Sequence, residues 1–369
     1  MATNTSIEWA DKTWSPLIGC TRVSAGCDNC YAISTARIRS ANPNPAIANA
    51  FAGTVDHIGG RLDWTGLINQ LEDRLTTPLT WRKPRKVFVN SQSDLFHQNV
   101  DHTFIARVLA IVALTPQHTY QVLTKRHSRM RTVLTDACTC GNGHAPGIHL
   151  RSAMAWAVSK ANPNRIPGVP DDAEHRVYNA PWPLPNLWLG VSVENQQWAN
   201  IRIPALLDTP AAVRWISAEP LLGPVDLHPW LKRPQVPACD RCAPPGPLDY
   251  HSDHLWGRCT CSCHPARPSL HWVVAGGESG HGARPAHPEW FRTLRDQCAA
   301  AHVPYLFKQW GAYKPTGRIG IGAAEKGYVL IGPQVDALGH RVEMQHVGKK
   351  AAGRELDGRI HDDYPTPAA

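Results

Sequence analysis

The chain has 369 residues, of which 43% are hydrophobic, and this is enough for one large domain with insertions or for two ordinary domains. The longest apolar run, near residues 108–114, is far shorter than the roughly 20 residues of a membrane-spanning helix. The polar residues 1–9 lack the pattern of a secretory signal. We therefore expect a cytoplasmic protein with no membrane partner. The net charge of +8 favours a partner that carries phosphate groups, with a solvated basic face as the alternative.

Short apolar, β-branched runs alternate with helical patterns along most of the chain, which is typical of repeated βα units around a parallel sheet. The predicted strands are 86–90, 119–124, 187–193, 213–219, 271–277 and 304–309. The predicted helices are 31–40, 103–114, 129–134, 198–207 and 290–301. Together with a further strand before Cys20, these elements favour an incomplete barrel over a doubly wound sheet. Polar or small residues follow each strand, as they do on the active face of a βα barrel.

Two stretches rich in proline, cysteine and histidine interrupt the pattern, at residues 136–185 and 234–268. Their prolines and polar residues indicate insertions on the barrel rim rather than core elements. The barrel domain then covers residues 1–315, and residues 316–369 form an extension in which alternating segments at 328–331 and 341–345 predict a hairpin. The predicted fold is therefore α/β: an incomplete parallel βα (TIM-like) barrel with two Cys/His-rich insertions and a C-terminal extension.

Three of the eleven cysteines, Cys20, Cys27 and Cys30, lie in one short loop that contains glycine. Cysteines in a chain without a secretory signal favour metal or redox chemistry, because disulfides rarely persist in a reducing cytoplasm. Three thiolates can hold three irons of a four-iron cluster and leave the fourth iron open for a ligand. A zinc ion completed by a residue from elsewhere in the fold is the alternative.

The second insertion has paired cysteines of the kind found in small zinc knuckles, where a metal replaces a hydrophobic core. Its candidate ligands to a structural Zn²⁺ are Cys239, Cys242, Cys259, Cys261, Cys263 and His264. They exceed the four that zinc needs, so the ligand set stays open, and accidental thiols are the alternative. In the first insertion, Cys138, Cys140, His144 and His149 form another site or contribute to the same one.

Several motifs of the chain are similar to those of one known family. They are Ile7-Glu8-Trp9, Gly26-Cys27-Asp28-Asn29-Cys30-Tyr31, Leu123-Thr124-Lys125-Arg126, Val191-Ser192-Val193-Glu194, Ser217-Ala218-Glu219-Pro220 and Gly276-Gly277-Glu278-Ser279. On these motifs the chain resembles the bacterial and phage-encoded family called phage protein Gp thirty-seven/Gp sixty-eight, whose name carries no established reaction. The cysteine loop also resembles that of radical S-adenosylmethionine enzymes of the spore photoproduct lyase-like branch, although six residues separate Cys20 from Cys27, more than is usual there.

The second resemblance implies a [4Fe-4S] cluster and S-adenosyl-L-methionine as cofactors, a 5′-deoxyadenosyl radical as the reactive species, and an electron donor such as a flavodoxin or ferredoxin. Polar side chains at the strand ends would then receive the cofactor and the substrate. We expect cofactor binding by Tyr31, Asn90, Ser91, Ser192 and Glu194. The expected catalytic residues are Lys125, Glu219 and Glu278. Capping or ion pairing on the rim is the alternative for each of these residues.

The substrate is not readable from the sequence. The basic charge, the zinc-knuckle pattern and the resemblance to a DNA-repair branch favour nucleic acid or a nucleotide, and a protein side chain is the other candidate. The alternative function is a noncatalytic zinc-binding phage-type protein that binds nucleic acid. A hydrolase that uses Glu219 and Glu278 lacks a recognisable nucleophile or metal signature.

Overall fold

The computed structural model describes residues 5, 7–136, 138–140, 144–231 and 268–366. Its strands are β1 (Lys12–Trp14), β2 (Leu17–Ile18), β3 (Val55–Ile58), β4 (Arg61–Trp64), β5 (Asn69–Gln70), β6 (Lys86–Val89), β7 (Thr119–Thr124), β8 (Leu187–Ser192), β9 (Val213–Ala218), β10 (Trp272–Gly276), β11 (Tyr305–Gln309), β12 (Tyr313–Gly320), β13 (Tyr328–Ile331) and β14 (Arg341–His346). Its helices are α1 (Tyr31–Ser40), α2 (Pro45–Phe51), α3 (His102–Leu114), α4 (His127–Thr135), α5 (Ile148–Val158), α6 (Ala173–Tyr178), α7 (Gln196–Leu207), α8 (Pro288–Ala300) and α9 (Lys349–Ala352).

Seven parallel strands form one sheet in the order β1-β6-β7-β8-β9-β10-β11. The sheet curls into a half barrel and does not close, because within the described residues β1 and β11 are not paired with each other. A segment near the end of the chain covers the β11 edge: the N–H of Phe307 donates to the carbonyl oxygen of His361 at 3.0 Å, and the N–H of Asp363 donates to that of Tyr305 at 3.3 Å. This architecture confirms the predicted incomplete parallel βα barrel.

The two faces of the sheet bury different side chains, because successive residues of a strand point to opposite faces. The outer face carries aliphatic residues such as Val87, Leu189 and Ile216, which pack with the helices in the main core. The inner face carries large aromatic rings, which form a second core. The buried members of that core are Trp9, Phe88, Trp188, Val213, Trp215, Trp272, Val274 and Leu306.

One glycine makes room for this aromatic layer. A Cβ atom on Gly190 would lie 2.4 Å from Cε2 of Trp215, so a side chain there would displace the indole. The ring of Trp215 also lies edge-on to Trp9, with the ring centres 5.2 Å apart. The inner layer is therefore closely packed around Trp9, which comes from the chain segment before β1.

Polar residues follow the aromatic layer along the same face of the sheet. Lys125 comes two residues after Leu123, Ser217 two residues after Trp215, and Lys308 two residues after Leu306. Since every second residue of a strand points to the same face, these polar groups stand above the aromatic layer at the carboxyl ends of the strands. The half barrel thus has an apolar floor and a polar mouth.

The predicted elements agree closely with the observed ones. Strand β7 and helix α1 have the predicted bounds, and the other predicted strands and helices are displaced at their ends by one or two residues. The predicted hairpin is confirmed as well: β13 pairs with β14 in antiparallel register, and β12 pairs with the other edge of β14.

Residues 136–185 contribute more to the core than the sequence indicated. We expected no core elements there, yet α5 and α6 form in this stretch, and Leu150, Met154 and Val158 are buried in the main core. The prolines that suggested a rim insertion lie outside α5, which leaves its apolar residues free to pack. Residues 232–267, which carry the predicted zinc knuckle with Cys239, Cys242, Cys259, Cys261, Cys263 and His264, lie outside the described residues. None of the described helices has both the length and the apolar character needed to cross a membrane.

Candidate functional site

A cavity of about 620 Å³ opens at the polar mouth of the half barrel. Trp9, together with Phe88 and Leu123 of the inner face, contributes to its floor, and loops that follow the strands form its walls. Cavities of this size, lined by apolar surface and a few convergent polar groups, are typical binding sites for small ligands and cofactors. The position matches the ligand-binding end of parallel βα folds.

Cys20, Cys27 and Cys30 all line this cavity. They lie on the loop that joins β2 to α1, and Cys30 directly precedes the helix. Two glycines allow the loop to adopt its path. Gly19 has a φ of +108° and approaches Leu67 so closely that a Cβ would lie 2.1 Å from the Leu67 carbonyl oxygen, and a Cβ on Gly26 would lie 2.5 Å from Oε1 of Glu194.

Two thiols of this loop, those of Cys20 and Cys30, are largely buried and have a cationic or a dipolar neighbour. Burial raises the pKa of Cys20 to about 12, and the nearby guanidinium of Arg126 opposes that rise. Burial also raises the pKa of Cys30, while the backbone N–H groups of Ala32 and Ile33, in the first turn of α1, act in the opposite direction. A positive group and a helix N-terminus both favour the thiolate, which is the form that binds metals.

Arg126 is held against the cysteine loop by Asp94. Its Nη1 atom lies 3.0 Å from Oδ2 of Asp94 and 3.6 Å from Sγ of Cys20, and its Nη2 atom donates to the carbonyl oxygen of Thr21 at 3.0 Å. Asp94, which is 5% exposed, also accepts from the hydroxyl of Thr124 at 2.7 Å. The ends of β6 and β7 are thus connected to the cysteine loop.

Glu194 connects the same loop to the end of β8. Its Oε1 atom accepts from the hydroxyl of Ser24 at 2.7 Å and lies 3.2 Å from Nζ of Lys125, and its Oε2 atom lies 2.8 Å from Nη1 of Arg202. The side chains of Glu194 and Arg202 are both 0% exposed. Burial raises the pKa of Glu194, but Lys125, Arg202 and the hydrogen bond from Ser24 together outweigh burial and hold the pKa below its usual value.

Glu278 makes a third connection, from the segment after β10 to the cysteine loop. Its carboxylate accepts from the side-chain amide of Asn29 at 3.0 Å and from Nη2 of Arg284 at 2.6 Å. Arg284 also donates to the carbonyl oxygen of Ala25 at 2.8 Å. Burial raises the pKa of Glu278, and the hydrogen bonds from Arg284 and Asn29 outweigh burial and lower it.

Glu219 and Lys308 form an ion pair on the cavity wall. Nζ of Lys308 lies 2.8 Å from Oε1 of Glu219, and the two side chains are 15% and 17% exposed. Glu219 follows β9 and Lys308 lies near the end of β11, so the pair spans the intervening strand β10, and both residues line the cavity. Among the predicted acidic residues, Glu219 is therefore the one that presents its charge to the cavity with a lysine as its partner.

The family model described as "Protein of unknown function (DUF5131)" matches residues 4–365. The chain belongs to this family. No curated protein and no solved structure matches the chain. Membership of DUF5131 supplies no reaction, and the resemblance to the phage protein Gp thirty-seven/Gp sixty-eight family and to radical enzymes stays a prediction.

Most of the site residues predicted from the sequence of this DUF5131 protein meet at the cavity. The predicted residues that line it are Cys20, Cys27, Cys30, Tyr31, Asn90, Ser91, Lys125, Ser192, Glu219 and Glu278. The phenol of Tyr31 donates to the carbonyl oxygen of Ser91 at 2.9 Å, so α1 is also connected to the end of β6. Asn90 has a φ of +61°, and its buried side-chain nitrogen has no hydrogen-bond partner.

Glu194 is the exception among the predicted cofactor-binding residues. It has no exposed surface and does not contribute to the cavity lining, and it acts instead by holding Ser24, Lys125 and Arg202. Sequence reasoning missed Arg126, Arg202 and Arg284, which neutralise the acidic groups of the site. Arg126 has a signal, since it follows Lys125 at a strand end, whereas the other two lie in a helix and a loop where nothing local distinguishes them.

Cys138, Cys140 and His144 form a separate group in the DUF5131 protein. They lie between α4 and α5, and none of them contributes to the cavity lining. Their ligand atoms all lie within 4.8 Å of one another. The sequence raised these residues as a second metal site, and the described residues bring three of the four together.

Proposed function

We propose that the protein is an enzyme that holds a [4Fe-4S] cluster on Cys20, Cys27 and Cys30 and uses S-adenosyl-L-methionine to act on a substrate in the cavity. One observation carries the proposal: three cysteines of a single loop line a 620 Å³ cavity at the carboxyl ends of a parallel half barrel. Three thiolates satisfy three irons and leave one iron with an open position for a ligand.

The arrangement of the thiols fits a cluster better than a single zinc ion. Two thiolates on one zinc ion lie at most about 4.6 Å apart, because each Zn–S bond is about 2.3 Å long. Within the described part of the chain, Cys20, Cys27 and Cys30 do not form a group whose sulfurs all lie within 4.8 Å, and no described histidine or carboxylate completes one there. In a four-iron cluster each thiolate binds a different iron, so wider separation of the sulfurs is expected.

A bound and reduced cluster would supply the electron that splits a carbon–sulfur bond of S-adenosylmethionine to give a 5′-deoxyadenosyl radical. The protein's own part is to bind, to orient and to exclude water. The aromatic floor, which includes Trp9 and Phe88, keeps bulk water out of the lower half of the cavity. Glu194, Glu278 and Asp94 act from outside the reacting groups, since each fixes the cysteine loop to the end of a different strand.

The polar residues of the mouth provide partners for the charged and polar parts of the cofactor and the substrate. We assign cofactor binding to Tyr31, Asn90, Ser91 and Ser192, which lie at the ends of α1, β6 and β8 around the thiols. Lys125 and Glu219 are the candidate catalytic residues, because both line the cavity and their charged side chains are only 18% and 17% exposed. The pairing of Glu219 with Lys308 supplies a proton donor and a proton acceptor at one place on the wall.

The partners follow from the same proposal. A one-electron donor such as a flavodoxin or ferredoxin in a reducing cytoplasm would reduce the cluster, and the net charge of +8 supports nucleic acid or a nucleotide as the substrate class. We place a structural zinc ion in the rim insertion 234–268, on the paired cysteines of its sequence, and we propose that residues 316–369 are an extension of the barrel.

Anaerobic purification with iron, sulfide and zinc analysis tests the proposal. We expect about four irons and four sulfides per chain, together with an electron paramagnetic resonance signal of the reduced protein that changes when S-adenosylmethionine is added. The triple variant Cys20→Ala, Cys27→Ala, Cys30→Ala should lose the iron. Cys298→Ala, which removes a buried thiol on α8 away from the cavity, should retain it.

Zinc without iron after repeated anaerobic reconstitution would overturn the proposal and leave the noncatalytic zinc-binding, nucleic-acid-binding protein as the better interpretation. Equal loss of iron from Cys298→Ala would show that the triple variant reports on folding and not on ligation. Formation of 5′-deoxyadenosine from S-adenosylmethionine and a reductant then tests the catalytic part separately.

A further inference from the structure

We propose that Cys138, Cys140 and His144 bind one zinc ion, in a site separate from the cavity. The three residues lie on the exposed connection between α4 and α5. Among the residues that the structure describes, these three form the group of Cys, His, Asp or Glu side chains, three or more in number, whose ligand atoms all lie within 4.8 Å of one another. This inference does not depend on the proposed iron–sulfur chemistry.

The distances within the group are close to those of a zinc site. Nδ1 of His144 lies 3.2 Å from Sγ of Cys140 and 3.3 Å from Sγ of Cys138. On a tetrahedral zinc ion, with Zn–S of about 2.3 Å and Zn–N of about 2.0 Å, a sulfur and a nitrogen ligand lie about 3.5 Å apart. The two nitrogen–sulfur distances therefore differ from those of a zinc site by only a few tenths of an ångström.

The donor set selects the metal. Two thiolates and one imidazole suit zinc, whereas magnesium and calcium require oxygen ligands. Nδ1 of His144 contacts both sulfurs, but its single lone pair can accept a hydrogen bond from only one S–H group at a time. A metal ion between the three atoms would bind all of them. Zinc takes four ligands, and the exposure of Cys140 and His144 leaves room for a fourth ligand beside these three residues.

The surroundings explain what the metal would contribute. The base of the connection is closed by a hydrogen bond from the N–H of Gly147 to the carbonyl oxygen of Asp136, at 2.9 Å. Gly147 has a φ of +81°, and a Cβ there would lie 2.9 Å from the carbonyl oxygen of Leu134, so the turn requires glycine. Above this closure, Cys140 and His144 bury little surface, and a metal supplies the cross-link that apolar contacts do not.

The cross-link would fix the start of α5, which begins one residue after Gly147. Leu150 and Met154 of this helix are buried in the main core. A zinc ion on the connection would restrict the unfolded chain and hold α5 in place on the core. The role is structural, which fits the position of the group away from the cavity lining.

Zinc analysis of the full chain and three variants tests the site. We expect the double variant Cys138→Ser, Cys140→Ser to lower the zinc content by about one ion per chain and to leave the iron content unchanged. The single variant His144→Gln should have the same effect. His175→Gln is the matched control, because His175 is an exposed histidine of the nearby helix α6. Cobalt loaded in place of zinc should give a thiolate-to-metal absorption band that both ligand variants lose.

The wild-type protein supplies a readout that does not require a folded variant. Cys138 and Cys140 should be protected from alkylation in the zinc-loaded protein, and peptide mass spectrometry should show that a chelator exposes them. The inference would be overturned if all the variants had the same zinc content, or if His175→Gln lost zinc as well. It would also be overturned if a chelator did not change the alkylation, or if anaerobically prepared protein contained a Cys138–Cys140 disulfide. A protein that binds iron but fails these tests retains the proposed function, and one that passes them without iron retains the zinc site.

Discussion

The guanidinium group of Arg126 lies 3.6 Å from the sulfur of Cys20, in a contact that Asp94 fixes from the opposite side. The side chains of Arg126 and Asp94 are only 12% and 7% exposed, so little water competes for the guanidinium. Hydrogen bonds and positive charge near a cluster sulfur stabilise the reduced, more negative state. If Cys20 binds iron, Arg126 is a residue that sets the reduction potential.

Arg126→Gln should therefore lower the reduction potential of the cluster. We expect a shift of about 60 mV, which corresponds to a tenfold change in the equilibrium constant of a one-electron step. Arg126→Lys retains the charge but not the planar fork, and should give a smaller shift. A redox titration followed by electron paramagnetic resonance measures both variants. An unchanged potential in Arg126→Gln, at normal iron content, would contradict this role.

Gly26→Ala should prevent assembly of the proposed cluster while leaving the barrel folded. The new Cβ would lie 2.5 Å from Oε1 of Glu194 and 2.6 Å from its Cγ, and Glu194 cannot withdraw because it is fixed by Lys125 and Arg202. The cysteine loop would have to move away from its position beside the cavity. Gly223→Ala is the control, since its Cβ would make an ordinary contact at 3.4 Å. Iron content and far-ultraviolet circular dichroism of both variants separate loss of the cluster from loss of the fold.

The buried ion pair of Glu194 and Arg202 should contribute more to the free energy of unfolding than an exposed ion pair does. Arg202→Met would leave Oε2 of Glu194 buried without its partner, while Lys125 still faces Oε1, and we expect the free energy of unfolding to fall by about 3 kcal/mol, the lower end of the range for a broken buried ion pair. The exposed pair of Arg131 and Asp208, with side chains 49% and 63% exposed, provides the comparison. Arg131→Gln should cost no more than about 1 kcal/mol. Urea unfolding measures both, and equal effects would show that the buried pair has no special weight.

The same carboxylate predicts how stability depends on pH. The pKa of Glu194 is below its usual value of 4.5, since Lys125 and Arg202 outweigh the opposing effect of burial. A carboxyl group whose pKa is lowered by folding contributes stability above its unfolded pKa and loses it as the pH falls through the folded pKa. The difference in unfolding free energy between wild type and Glu194→Gln should thus be constant near neutral pH and shrink below pH 4.5. A difference that stays constant down to the acid transition would mean that folding does not lower the pKa of Glu194.

The half barrel was predictable from the sequence because its strands and helices have strong local patterns. Helix α1 and strand β7 were predicted with their observed bounds. The strand ends also indicated which polar residues meet, since parallel strands carry their carboxyl ends to one edge of the sheet. The predicted Lys125, Ser192, Glu219 and Glu278 accordingly line one cavity.

What the sequence does not reveal is how the charges pair across long separations in the chain. The amide of Asn29 donates to Glu278, although 249 positions separate the two residues, and the hydroxyl of Ser24 donates to Glu194 across 170 positions. Arg202 lies among the apolar residues of α7, where a charged side chain resembles an ordinary surface position. Only the folded chain shows that its guanidinium is fully buried against Glu194, whose carboxylate has no exposed surface.

Tyr364 should stabilise the barrel from the end opposite to the cavity mouth, where the amino ends of the strands lie. Its ring lies against Trp272 of the aromatic layer, with the ring centres 5.3 Å apart, and Nζ of Lys86 lies 3.6 Å from the centre of the tyrosine ring. Aromatic and cation–π contacts of this kind contribute about 1 kcal/mol each, and Tyr364→Ala also exposes part of the indole, so we expect a loss of about 2 to 3 kcal/mol. Tyr364→Phe retains the ring and loses only a hydrogen bond of 3.4 Å to the carbonyl oxygen of Glu8, so it should unfold close to wild type. If chemical unfolding shows the two variants to be equally destabilised, the hydroxyl and not the ring closes this end of the aromatic core.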